Sequence, residues 1–252
     1  MVVSQSAIEM APPFSVVSRY FIFACFALLS TFLMLTMGDA SLPILDFSVA
    51  AALHVYLLSF VMSVILGALY QLIPVVLESP FYSLKGSSWL FALFVLGGLL
   101  LSIGMFSGIT PLMHSGGSAI YIALVWFGLL FLASFIKVKR WSIVTFFLLF
   151  ASLWLMVGIS LGFFTIFAMT GSVSVDVIAL IVRHASVSLI GFVFFIVMGV
   201  SLVLLPMFSL SHGVSTIYSK ISFIILNLSL VSALFGEFEL MVFGLGLGIA
   251  LY

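Results

Sequence analysis

The chain has 252 residues, 65% of them hydrophobic and 6% charged, and its seven basic and seven acidic side chains cancel. A soluble domain must cover its surface with polar groups, so this composition excludes that class. The zero net charge, with no basic cluster beyond Lys137, Lys139 and Arg140, argues against nucleic-acid binding.

Several apolar stretches approach or exceed the ~20 residues that cross a bilayer as a helix, and none alternates as a transmembrane barrel strand would. They predict an all-α polytopic transmembrane bundle with spans near 20–37, 48–76, 88–107, 118–136, 142–168, 175–207 and 219–236. Residues 1–18 carry Glu9 and no basic side chain, so the positive start of a cleavable signal is missing and the first span reads as retained. It holds Cys25, the single cysteine, which leaves no internal disulfide and no cysteine-based metal site. The second span carries His54 near its start, a small-residue strip (Ser59, Ser63, Gly67), Tyr70 and Gln71 as candidate polar links between helices, and Pro74 at its end. His114, followed by Ser115-Gly116-Gly117, reads as a loop residue before the fourth span. The sixth span carries Arg183 and His184 near its start, Gly191 and Gly199 along it, and Pro206 at its end. An eighth apolar segment begins near Leu240 and is too short to cross, so it reads as a half-helix or a span cut short.

The charges sort by side. With a cytoplasmic N-terminus, Arg19, Lys85, Lys137, Lys139, Arg140 and Lys220 fall on the inner side, which the positive-inside rule assigns to the cytoplasm of a plasma membrane. Asp39, Asp46, Asp176, Glu237 and Glu239 fall outside. Arg183 is the one basic residue within a span.

On this topology spans two and six run parallel, and at 1.5 Å per residue His54 and His184 lie roughly 10 Å and 12 Å below the outer starts of their helices. His212 lies on the opposite side. Pro74 and Pro206 are 132 residues apart, as are Gly67 and Gly199, and Gly104 and Gly236, the last pair read as span ends. Arg19-Tyr20 and Arg140-Trp141 each open a long apolar run. These echoes suggest a parallel four-helix repeat with halves 19–136 and 140–252 inside one integral membrane domain.

Neutral imidazole ligates haem iron. Two histidines at matched depth on parallel helices would hold one haem from both faces, and the small-residue strips would make room for the macrocycle or, alternatively, bring helices close together. Arg183 would pair with a haem propionate or extend to the outer headgroups. No hydrolytic or phosphate-binding motif is present.

His54 through Pro74 resembles the second helix of subunit I of the haem-copper oxidase superfamily: a histidine near the outer end, an apolar run with glycine, and a terminal proline. Arg183-His184-Ala185-Ser186, continuing to Met198-Gly199 and Pro206, is similar to that family's late haem-binding helix. Ser186 stands where a second histidine would be. The resemblance implies that His54 and His184 bind a low-spin haem b. It leaves no residue for a second haem and none of the further copper-site histidines, hence no oxygen-reduction site. The implied protein is an electron-transfer or haem-sensing subunit of a respiratory assembly, in contact with lipid and other membrane subunits. Two alternatives stand beside it: a haem-free integral structural subunit, and a small-solute transporter built on the repeat.

Overall fold

A computed structural model describes residues 10–37, 46–210 and 215–252. All regular structure among them is helical: α1 (Phe14–Met37), α2 (Phe47–His54), a π-helical stretch (Val55–Val61), α3 (Met62–Val76), α4 (Ser87–Ser107), α5 (Thr110–Ala133), a 3-10 turn (Ser134–Lys137), α6 (Ile143–Met169), α7 (Val177–Ser186), a second π-helical stretch (Val187–Phe194), α8 (Phe195–Ser209), α9 (Ile217–Leu234) and α10 (Phe238–Leu251). The α2–π–α3 and α7–π–α8 runs are continuous rods, Phe47–Val76 and Val177–Ser209. Seven helices among the described residues are long and apolar enough to cross a membrane, and α10 is a shorter apolar helix. The protein is a multi-pass helical membrane protein. Glu9, Asp39 and His212 lie outside the described residues.

The helix faces show why such a sequence needs lipid. On α1, Tyr20, Ala24, Ala27 and Thr31 repeat at one helical face and are buried, while Ile22, Phe26, Leu29 and Leu33 occupy the opposite face and are more than half exposed. A row of exposed large apolar side chains is costly in water and ordinary against hydrocarbon.

The chain packs as two compact units, Met1–Leu130 with Thr170–Ser172, and Phe131–Met169 with Val173–Tyr252. The first unit packs α1 along α2–α3, and α4 against α2 and α5. Its core is aromatic: Tyr70 lies 4.7 Å from Phe81 and 5.6 Å from Phe127, and Tyr20 lies 4.9 Å from Phe91, ring centre to ring centre. The second unit packs α6 along α7–α8, and α9 against α10. Phe147, Phe195 and Phe223 form its aromatic centre.

Each unit therefore has the same plan: one long helix, a long rod interrupted by a π-helical stretch, and a tight helical hairpin. The π-helical stretches begin at Val55 and Val187, 132 residues apart, the same separation as Pro74 and Pro206. Each proline lies in the last turn of its rod, where the carbonyl it leaves without a donor is near the helix end. Both hairpins turn at a glycine in the left-handed region, Gly108 (φ 67°) and Gly236 (φ 88°).

Some expectations change. Gly104 does not end its span; it lies inside α4, where a Cβ would stand 2.6 Å from the Met113 nitrogen of α5, so it is a helix-contact residue. The turn that answers Gly236 is Gly108. Arg19 and Arg140 are not equivalents either. Arg19 donates from Nη1 to Ser88 Oγ at 3.0 Å and lies over the Phe91 ring, whereas Arg140 is exposed and precedes its helix.

Candidate functional site

Both expected ligands occupy the same register in their own units. Asp46 caps α2, its side chain accepting from Ser48 N, and His54 follows eight residues later. Asp176 caps α7, its side chain accepting from Ala179 N, and His184 follows eight residues later. A cap fixes where the helix begins, and so fixes the depth and facing of the residue two turns on. His54 immediately precedes the first π-helical stretch, and His184 stands three residues before the second. Single π-helical turns inside α-helices concentrate at functional sites.

The Asp46 carboxylate is held below its ordinary range, chiefly by the Ser48 hydroxyl and then by backbone N–H groups. The stabilisation from a lowered carboxylate is complete above the unfolded pKa of about 4 and is lost as pH falls through the folded value. Acidification through that window is therefore expected to loosen the start of α2, and Asp46→Asn should abolish the pH dependence of amide exchange there. At the other cap, Asp176→Ala is expected to cost about 1 kcal/mol, read as a lower unfolding midpoint.

His54 Nδ1 donates to Ala50 O at 2.7 Å. His184 Nδ1 donates to Gly158 O at 2.9 Å, with Ser188 Oγ 3.3 Å away. A carbonyl only accepts, so each ring carries its proton on Nδ1 and, when neutral, its lone pair on Nε2. That is the tautomer a backbone partner imposes on a metal-binding imidazole. His54 is half-buried, and its Nε2 makes no hydrogen bond among the described residues.

His184 lies in a notch that sequence reasoning missed. Gly162 on α6 leaves the space its ring fills, since a Cβ there would stand 2.5 Å from His184 Cε1, while Gly158, one turn earlier, faces Ser188. The signal was present as a Gly-x-x-x-Gly pair on the preceding span, but only the fold tells which side chain enters it. Gly162→Val is expected to drive the ring from the notch and cost roughly 1–3 kcal/mol, read as a lower midpoint of unfolding in detergent.

Arg183 donates from Nε to Ala233 O at 3.2 Å and lies 5.7 Å from the Phe238 ring centre. It thus supports a carbonyl in the last turn of α9, where a cation is favoured by the helix dipole. Its Nη1 and Nη2 groups make no hydrogen bond among the described residues.

The small-residue strips are filled within their own units. A Cβ on Gly67 would meet Tyr20 Cβ at 3.1 Å, and one on Gly98 would meet Ser59 Oγ at 3.2 Å. Gly191 faces Trp154, whose Nε1 donates to Asn227 Oδ1 at 2.9 Å, and Gly199 faces Phe147. Close helix packing among the described residues therefore accounts for the strips. The imidazole chemistry suits haem iron; the strips do not contribute to holding it.

Three other positions differ from expectation. His114 is inside α5, not in a loop, with Nε2 2.9 Å from Thr170 Oγ1. Tyr70 is fully buried and packs by its ring, its hydroxyl making no hydrogen bond among the described residues; Gln71 is exposed. Among the described residues no group of three or more His, Cys, Asp or Glu is placed to hold a metal ion. Comparison with family models, curated proteins and solved structures gave no match.

Proposed function

We propose that the protein is a b-type haem protein of the plasma membrane, with a cytoplasmic N-terminus, that transfers electrons within a respiratory assembly. His54 and His184 would hold the haem iron, and Arg183 would pair with a carboxylate of the same group. One observation carries the reading: in each unit a capping aspartate sets a histidine eight residues into a π-interrupted rod, with its Nδ1–H tied to a backbone carbonyl. A structural histidine needs a partner, but a recurring register and tautomer in two units is what paired ligands require. A haem held by two imidazoles would supply reversible one-electron transfer. The chain's own part is to fix the imidazoles, through Ala50 and Gly158, and to keep water away with apolar helices. The test is a pyridine haemochrome assay on purified protein, expected to give one haem b per chain.

A second reading, a haem-free integral subunit, is favoured by the filled glycine strips and by the bond from Arg183 to Ala233. It predicts colourless protein that co-purifies stoichiometrically with membrane partners and keeps them when both histidines are replaced.

A further inference from the structure

A cavity of about 430 Å³ opens in the second unit at the starts of α6 and α9, lined by Trp141, Ser142, Ile143, Phe146, Thr216 and Lys220. Both helices are of membrane-spanning length and character, so their first residues mark the level where hydrocarbon gives way to headgroups. Trp141 is half exposed, and Tyr218, between Thr216 and Lys220 in the chain, is 61% exposed, as interfacial aromatics are.

The charge at this level has no carboxylate partner among the described residues. Lys220 is exposed, and its ammonium makes no ion pair or hydrogen bond among the described residues. Lys137, Lys139 and Arg140 directly precede Trp141 in the chain, are exposed, and pair with no carboxylate among the described residues. The two helix starts also differ. At α6 the cap is closed internally, with Ser142 N donating to Thr145 Oγ1 and Thr145 N to Ser142 Oγ. At α9 Thr216 makes no side-chain cap bond, so the positive end of that helix has no side-chain acceptor from its cap residue. A free anion would use Lys220 and the helix end and waste the wall of Ile143, Phe146 and Trp141. An anion that carries acyl chains uses both.

We infer that this cavity binds an anionic phospholipid, with its phosphate on Lys220 and the start of α9 and its upper acyl carbons along Ile143, Phe146 and Trp141. The site is independent of the haem reading. Basic pockets between membrane helices take such headgroups, and each cation near an anionic surface contributes about fivefold in affinity.

The experiment is native mass spectrometry of the full chain in detergent, titrated with phosphatidylglycerol or phosphatidylcholine. Phosphatidylglycerol is expected to be retained about tenfold better, from more than one cation acting together. Lys220→Gln should reduce that preference about fivefold and Lys220→Arg should keep it, with circular dichroism confirming that both variants are helical. Trp141→Ala should weaken retention of the lipid, and inorganic phosphate should not displace it. Equal retention of the two lipids, a preference indifferent to Lys220→Gln, or displacement by phosphate alone would each overturn the assignment.

Discussion

On the proposed haem reading, alanine in place of His54 or of His184 is expected to abolish a low-spin haem spectrum while leaving the bundle folded. The reason lies in the two scales involved. Each imidazole contributes one hydrogen bond to a backbone carbonyl, at 2.7 Å to Ala50 and 2.9 Å to Gly158, and such a bond is worth about 1 kcal/mol net. Neither ring is among the fully buried core side chains, so truncation costs a modest part of the stability of a large apolar bundle. The electronic effect is all-or-none. Iron that loses one of two imidazoles changes its axial field and therefore its spin state. The check is the absorption spectrum of each purified variant, with circular dichroism as the control for folding. A variant that keeps an unaltered low-spin spectrum would remove that histidine from the ligand set. Arg183→Leu serves as a contrast: it should leave the spin state unchanged and lower the thermal midpoint through the lost bond to Ala233 and the lost contact with Phe238.

The largest stability effect is expected at Gly116. A Cβ there would lie 2.2 Å from the Leu101 nitrogen and 2.7 Å from its Cα, so the obstacle is rigid backbone, not a side chain that turns aside. Gly97 and Gly104 make the same kind of approach from α4, at 2.8 Å from Ile120 N and 2.6 Å from Met113 N. The three together set the spacing of the α4–α5 hairpin, and small residues are what allow membrane helices to meet so closely. Gly116→Ala must part the two helices and is expected to cost about 3 kcal/mol. Gly246→Ala is the matched control: nothing lies within 4 Å of its Cβ position. There the better helix propensity of alanine should stabilise by about 0.5–1 kcal/mol. Unfolding in SDS, followed by circular dichroism for both variants, distinguishes them directly.

These glycines also show where the sequence was legible and where it was not. Hydropathy alone located all seven long helices among the described residues, because twenty apolar residues in a row have few other uses. The ends were less clear. Ser115-Gly116-Gly117 after His114 resembles a turn in water; in this chain these residues continue α5, and Gly116 serves close packing against α4. The strip of Ser59, Ser63 and Gly67 announced that something approaches closely, but small residues do not say what approaches. It is Tyr20 at Gly67 and Gly98 at Ser59. The prolines and the 132-residue echo suggested a repeat, while the π-helical stretches at Val55 and Val187 had no visible mark, since they arise from backbone pairing inside uniformly apolar rods. His54 and His184 stood out as costly residues in an apolar chain. Their common eight-residue distance from a capping aspartate became meaningful only once Asp46 and Asp176 were seen to cap.

The most direct test of the central proposal is electron paramagnetic resonance of the oxidised, purified wild-type protein, with its reduced-minus-oxidised absorption spectrum recorded on the same sample. The proposal predicts a low-spin ferric signal of the bis-imidazole type and a sharp α-band on reduction. A colourless protein, or one whose haem is purely high-spin, would contradict it.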